Sequence, residues 1–368
     1  MFGHKSVPSR KGGVEVVVDE LGRRLVGLGC EVTCYNRKAK EYRRVPGNVY
    51  EGMSLKYVFT INKKGFAALT SSVCAAIRIA FCRTDIVHIH AEGPATMAGF
   101  LKLFGKRVVV TVHGLDWQRS KWGGFASWYI RLGEKTAVKH ADEIIVLSRN
   151  VKSYFEREYG RETVFIPNGV NRPGIADDEF IQKAYGLKKD SYILFLGRLV
   201  PEKGLELLIR TFKELDTDKK LVIAGGSSDT DRFEREMRDL AYDDKRIQFI
   251  GHVEGEALSA IYSNAYVYVL PSSLEGMPLS LLEAMSYKNC CLVSDIDECT
   301  EVVGEHAAVF KAGDGKDLRD KLAMLIENPE LVKEYKAGAQ DYICERYSWG
   351  AVAEQTLEIY KKVLKRGN

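Results

Sequence analysis

At 368 residues the chain is too long for one ordinary hydrophobic core, so two domains are expected. A composition of 45% hydrophobic and 28% charged residues excludes a disordered or low-complexity chain, and no internal repeat of solenoid length is present. The net charge of +4 conceals a split, because residues 1–170 hold 27 Lys+Arg against 15 Asp+Glu (+12) and the remaining 198 residues carry −8. Such a split suits a first half that faces something anionic, such as a membrane surface, a phosphorylated lipid or a nucleic acid. Solvated charge with no partner explains it as well.

Lys5, Arg10 and Lys11 come too early for the apolar core of a signal peptide. The longest apolar run, from Gly65 to Cys82, is interrupted by Ser71, Ser72 and Arg78. It falls short of the ~20 residues that span a bilayer. The eight cysteines form no C-x-x-C pair and no zinc-finger spacing. Most sit in apolar stretches, as expected of reduced thiols in a cytoplasmic protein.

Short apolar runs alternate with helical stretches along the whole chain. The first half offers a helix at Gly13–Leu28 and strands at Glu31–Tyr35, Ile86–Ile89 and Arg107–Val112. A helix at Trp128–His140 and strands at Glu143–Leu147 and Val164–Ile166 follow. Pro167-Asn168-Gly169-Val170-Asn171-Arg172-Pro173-Gly174 is turn-rich and reads as a linker. The second half offers strands at Tyr192–Leu196, Lys220–Ile223, Ile247–Phe249, Val267–Leu270 and Cys291–Val293. Helices at Gly204–Leu215, Asp231–Tyr242, Gly255–Ser263 and Pro278–Tyr287 lie between or after them. Alternating helices and continuous apolar strands imply buried parallel sheets, and the pattern occurs twice. Two doubly wound domains are therefore expected, at residues 1–170 and 171–348, followed by an amphipathic helix over Trp349–Leu364. The chain begins at Met1-Phe2-Gly3-His4, in the loop that should follow a central first strand. Either the true start lies upstream, or the first sheet is incomplete.

Four segments carry candidate chemistry. Arg10-Lys11-Gly12-Gly13 opens the first helix, where small residues permit close approach and the dipole favours phosphate. A Gly-Gly pair alone is more often just a turn, and without G-x-G-x-x-G a dinucleotide-dependent oxidoreductase is disfavoured. Thr111-Val112-His113-Gly114-Leu115-Asp116-Trp117 leaves a strand, so His113 or Asp116 could orient a hydroxyl or relay a proton. His88 and His90 alternate on a strand, and at least one is expected to be structural. Arg119, Lys121, Trp122, Phe125 and Trp128 interleave basic and aromatic side chains, as an anionic amphipathic surface, single-strand stacking or plain partial burial would require.

Gly197-Arg198-Leu199-Val200-Pro201-Glu202-Lys203-Gly204 follows a strand directly, where ligands of open α/β sheets sit. A guanidinium at Arg198 and an ammonium at Lys203 suit a diphosphate, although a turn with solvated bases has the same spelling. Glu275-Gly276-Met277-Pro278-Leu279-Ser280-Leu281-Leu282-Glu283 places Pro278 at the start of a helix. Glu283, five residues further, lies about 7.5 Å along the axis and leans back toward the helix start. The two carboxylates could grip separate parts of one ligand, or both could be solvated.

Together these residues resemble glycosyltransferase family 4, the retaining enzymes of the GT-B fold, over nearly the whole chain. The resemblance rests on Gly12-Gly13, the His113 loop, Arg198 with Lys203, Glu275 with Glu283, and the terminal Tyr-Ser-Trp helix. The opening His4-Lys5-Ser6-Val7-Pro8-Ser9-Arg10-Lys11-Gly12-Gly13-Val14-Glu15 is similar to bacterial rhamnosyltransferases of capsule and exopolysaccharide assembly. The resemblance implies two Rossmann-like domains facing across a cleft, with residues 349–368 crossing back to an acceptor-side first domain. It implies that Arg198 and Lys203 bind the donor diphosphate and stabilise the leaving group. Glu283 would hold the ribose, and Glu275 with the backbone of Gly276, Met277, Pro278 and Leu279 would hold the donor sugar. Gly12 and Gly13 would approach the phosphate, and His113 would contact sugar or acceptor. No metal or other cofactor is expected. The expected partners are a nucleotide-diphosphate sugar, a saccharide or polyprenyl-diphosphate-linked saccharide acceptor, and an anionic membrane surface, with no nucleic acid. A nucleotide-sugar epimerase of the same fold would need more acid/base residues than can be placed. A non-catalytic partner subunit that lost its first strand is the other alternative.

Overall fold

The computed structural model describes residues 1–42, 44–63, 66–118, 123–226 and 231–366. The chain forms two compact units, one of residues 1–168 with 349–368 and one of residues 169–348. Backbone pairing closes the ends of the second unit, since the Val170 N–H donates to the Tyr347 carbonyl at 2.7 Å.

The first unit contains β1 (Thr33–Arg37), β2 (Val49–Tyr50), β3 (Met53–Val58), β4 (Ile86–His90), β5 (Arg107–Val112), β6 (Glu143–Val146) and β7 (Val164–Phe165). They pair as two groups, β1-β3-β2 and β4-β5-β6-β7, parallel except for β2 with β3. Residues 1–5 occupy the slot between the groups. The Phe2 N–H donates to the His88 carbonyl at 3.1 Å, and the His90 N–H donates back to Phe2 at 2.9 Å. On the other side the N–H groups of Tyr35 and Arg37 donate to the carbonyls of Met1 (3.0 Å) and Lys5 (2.8 Å). The opening residues thus fill the central position that the sequence left in question. Phe2 is buried there among Ile89, Val108 and Val110.

β3 escaped the sequence reading because its exposure alternates, with Ser54 and Lys56 outward and Met53, Leu55 and Val58 buried. A search for continuous apolar runs does not find a strand with one wet face. The helix expected at Trp128–His140 starts earlier, at Gly124. The helix Trp349–Lys365 packs on the helix Gly13–Gly27 within the first unit. Its far end is tied to β6 by Lys362 and Arg366, 2.9 Å and 2.7 Å from Glu143 Oε1.

The second unit contains β8 (Tyr192–Leu196), β9 (Lys220–Ala224), β10 (Ile247–Gly251), β11 (Val267–Leu270), β12 (Cys290–Ser294) and β13 (Ala308–Phe310). They form one parallel sheet in the order β10-β9-β8-β11-β12-β13. Ile193, Phe195, Val267 and Val269 from the central strands are buried in one core with Leu208 and Phe212 of the helix Leu205–Lys213. The three-residue β13 was too short to stand out in the sequence.

His4 is locked into the first unit by Asn36. His4 Nε2 lies 2.9 Å from Asn36 Oδ1, and the Asn36 amide donates to the Val7 carbonyl at 2.7 Å. Burial lowers the His4 pKa from 6.5 to about 3. The folded state therefore binds fewer protons than the unfolded one between those values, and its stability from this group is lost as pH falls. The stability advantage of wild type over His4→Gln is expected to be full above pH 6.5 and to shrink steadily toward pH 4, as measured by urea unfolding of both chains. A gap independent of pH would contradict this.

Candidate functional site

β8 and β11 are neighbours in the middle of the second sheet, and the strand order reverses between them. Ligands of open parallel sheets sit beyond the carboxyl ends of the strands at such a point. Both candidate loops of the second half leave from these two ends. Gly204 lets the loops meet. Its φ is +68°, and a Cβ there would lie 2.0 Å from the Pro271 carbonyl oxygen. The turn after β8 therefore rests backbone on backbone against the turn after β11, and the Ser273 N–H donates to the Glu202 carbonyl at 2.9 Å.

That contact brings Lys203 Nζ to 2.5 Å from Glu275 Oε1, with the two side chains only 11% and 9% exposed. Ser272 Oγ donates to the same carboxylate oxygen at 2.6 Å, and Ser294 Oγ at the end of β12 donates to the Ser272 carbonyl at 2.5 Å. Removing one partner of so shielded a pair leaves an uncompensated charge. Cys299 lies close behind, its thiol pushed up by burial and by the Glu275 carboxylate, with Lys203 opposing. Arg198 leaves the same turn, which is held by N–H bonds from Gly197 to Ala224 (3.1 Å) and from Leu199 to Gly226 (3.1 Å).

Gly276, Met277 and Pro278 are buried, and Leu279 begins the helix Leu279–Ser286. That start is one residue later than expected, because Pro278 (φ −76°, ψ 101°) stays extended and serves as the cap. Its carbonyl accepts from the N–H groups of Leu281 and Leu282 at 3.1 and 3.2 Å. Glu283 lies on this helix, its Oε2 3.5 Å from the hydroxyl of Tyr262. The Tyr262 ring stacks on Tyr287 with centroids 5.3 Å apart. The structure thus joins Lys203 directly to Glu275 and gives Glu283 a different neighbourhood.

In the first unit, Gly12 caps the helix Gly13–Gly27. A Cβ on Gly12 would stand 2.1 Å from Glu15 Oε2. The buried Glu15 carboxylate accepts the Lys5 N–H at 2.8 Å. The first turn, read from sequence as a phosphate site, thus already holds an acidic side chain. His113 follows β5 directly and is partly buried, with Nε2 3.2 Å from His90 Nδ1. The loop beyond is anchored by two buried carboxyl groups. The Asp116 N–H donates to Glu92 Oε2 at 2.9 Å, and the Trp117 indole donates to Glu134 Oε2 at 3.2 Å. Burial, with Asp116 and Glu134 nearby, holds the Glu92 carboxyl well above the usual carboxylate range. Arg119, Lys121 and Trp122 lie outside the described residues. Phe125 and Trp128 are 73% and 57% exposed, with ring centroids 5.7 Å apart.

Sequence reasoning missed Gly204 as a contact point, Ser272, Tyr262 and the partnership of His90 with His113. Only the last left a usable signal. His88 and His90 sit two apart on a strand and must share a face.

Comparison with known proteins supplies the class. Residues 11–172 match the model described as Glycosyltransferase Family 4, and residues 177–342 match Glycosyl transferases group 1. Alpha-maltose-1-phosphate synthase of Mycolicibacterium smegmatis is 28% identical over 312 residues, covering 76% of this chain and 79% of that protein. Sucrose-phosphate synthase from Thermosynechococcus elongatus superposes with a TM-score of 0.83 at 21% identity, covering 96% of this chain and 94% of the other. Anabaena HepE in complex with UDP and glucose gives 0.82 at 14%, covering 98% of each. The fold is GT-B, and the chain is an enzyme, a glycosyltransferase. The match of its first half to the family 4 model and of its second to the group 1 model supports a transferase of the family 4 type. Among the described residues no group of three or more His, Cys, Asp or Glu is placed to hold a metal ion.

Gly204→Ala is expected to lower the thermal midpoint of the second unit, because it combines a positive φ with a backbone clash that together cost more than about 1 kcal/mol. The loss should be accompanied by weaker binding of nucleoside diphosphate in calorimetry. Unchanged stability and binding would show that the two loops do not depend on this contact.

Proposed function

We propose that the chain is a retaining transferase that moves a hexosyl or deoxyhexosyl group, rhamnosyl being the first to test, from a nucleotide-diphosphate sugar. The acceptor is a saccharide or lipid-linked saccharide of cell-surface polysaccharide synthesis. The observation that carries this reading is the shielded Lys203–Glu275 pair, whose Lys203 shares the turn after β8 with Arg198, at the strand-order reversal of the second sheet. The UDP and glucose held by HepE support a sugar nucleotide as the donor class. The likeness of the opening segment to capsule rhamnosyltransferases supports the sugar and the pathway class.

In this reading Arg198 and Lys203 bind the diphosphate, Glu275 orients Lys203 and the donor sugar, and Glu283 takes the ribose hydroxyls. Gly276, Met277 and Leu279 offer backbone N–H groups around Pro278 at a helix start, where the dipole favours an anion or a hydroxyl oxygen. His113 contacts the sugar or acceptor, and Gly12 and Gly13 allow close backbone approach to phosphate. The bond from the anomeric carbon to the diphosphate oxygen breaks, and the acceptor oxygen bonds to that carbon on the same face. The acceptor proton departs with the diphosphate. Cationic groups on the leaving diphosphate act where negative charge develops, commonly the largest catalytic contribution.

A membrane-facing role for the first unit draws on its charge and on one helix. Phe125, Trp128 and Leu132 are exposed along the helix Gly124–His140, which also carries Arg131, Lys135 and Lys139. Among the described residues no helix is long and apolar enough to cross a membrane. Contact would therefore be peripheral.

Thermal shift with UDP, GDP and dTDP sugars should reveal stabilisation by one nucleotide, and the product anomer by NMR should match the donor. Arg198→Ala is expected to lower kcat/KM by about 10²–10³-fold. No nucleotide response together with an indifferent Arg198→Ala would remove the donor assignment. In liposome flotation the protein should rise with anionic vesicles at low salt. Failure to do so would remove the membrane role alone.

A further inference from the structure

A buried series of imidazoles stands behind His113. His88 and His90 stack on one face of β4 with centroids 4.2 Å apart, and they are 2% and 0% exposed. His88 uses both ring nitrogens. Its Nδ1 lies 2.6 Å from the Tyr360 hydroxyl of the helix Trp349–Lys365, and its Nε2 lies 2.7 Å from Thr111 Oγ1 of β5. His90 uses one. Its Nδ1 lies 3.2 Å from His113 Nε2, while its Nε2 is buried with no hydrogen-bond partner among the described residues. The strand that carries it is held closely, since a Cβ on Gly3 would come within 2.0 Å of the His90 carbonyl oxygen.

Burial holds His90 well below the usual imidazole range, with His88, His113 and His4 adding to the effect. The ring is therefore neutral and carries a single proton, whose place follows from relative cost. A buried N–H left unbonded forfeits its hydration, about 1–3 kcal/mol, whereas an unused acceptor is the better tolerated loss. The proton thus belongs on Nδ1, directed at His113. His113 Nε2 must then accept, and the proton of a neutral His113 belongs on its Nδ1.

We propose that His90 is a positioning residue that fixes His113 as its Nδ1–H tautomer, so that His113 meets substrate as a hydrogen-bond donor rather than as a base. The placement of His113 near the reacting centre rests on the function proposed above. The tautomer does not.

The test uses the full chain labelled with ¹⁵N-histidine and long-range ¹H–¹⁵N spectra, in which His113 is assigned by loss of its signals in His113→Gln. Wild type should show a protonated Nδ1 and a bare Nε2. His90→Asn restores an amide N–H where Nδ1 stood, so it should keep that pattern, with kcat within about threefold of wild type. His90→Asp puts an acceptor there instead. It should move the proton to His113 Nε2, shift the pH profile and lower kcat by about tenfold or more. A wild-type His113 protonated on Nε2, or an Nδ1–H tautomer that survives in His90→Asp, overturns the proposal. The wild-type spectrum decides even if a substitution at buried His90 prevents folding. A tautomer that moves in His90→Asp while kcat stays unchanged overturns the role of His113 at the reacting centre instead.

Discussion

The candidate site depends on a single close approach, the turn after β8 resting on the turn after β11. Only a residue without a side chain could stand at position 204, where the Pro271 oxygen fills the space of a Cβ. The approach delivers Lys203 to Glu275 in surroundings where either charge alone would be expensive. Ser272 then holds the carboxylate, and Ser294 at the end of β12 holds the Ser272 carbonyl. An ammonium bound this way keeps donors for a ligand while its own position is set before the ligand arrives. Such preorganisation is what electrostatic catalysis requires.

The first unit is built on a different economy of polar groups. Its opening residues fill a central slot in the sheet, and its interior holds His4, His88, His90, Glu92 and Glu134. Their hydrogen bonds go to Asn36, Thr111, Tyr360 and His113 from the imidazoles, and to the Asp116 N–H, Trp117, Tyr154 and Tyr159 from the carboxyl groups. Burial keeps the imidazoles neutral and raises the pKa of the Glu92 carboxyl, which lowers the cost of holding these groups inside. The common result is that the loop from His113 to Trp117 is held by His90 of β4, by Glu92 just beyond that strand and by Glu134 of the helix Gly124–His140. The remote helix Trp349–Lys365 takes part through Tyr360. Sequence-distant ends of the chain therefore share in holding one loop.

Much of this was legible in the sequence because parallel strands buried on both faces are written as continuous apolar runs. β5, β8 and β11 were found with their observed bounds. β3 was not, because one face is exposed, nor was β13, because it is three residues long. Arg198, Lys203, Glu275 and Glu283 stood out in the sequence as candidates, because they sit on the turns and the helix that follow two apolar strands. Their pairing did not. Whether Lys203 turns to solvent or to Glu275 depends on a backbone contact at Gly204 that no local pattern encodes. The burial of Glu15 in the first helical turn was equally invisible, because spacing cannot tell a buried carboxylate from a solvated one.

The central claim is that Lys203 and Glu275 act as one unit in holding the donor. The most direct measurement is a double-mutant cycle of Lys203→Met, Glu275→Leu and the pair, read as nucleoside diphosphate affinity by calorimetry. Each single change should weaken binding, and the double change should cost little more than either alone, a coupling above about 1 kcal/mol. Losses that simply add, or single changes without effect, would contradict the account.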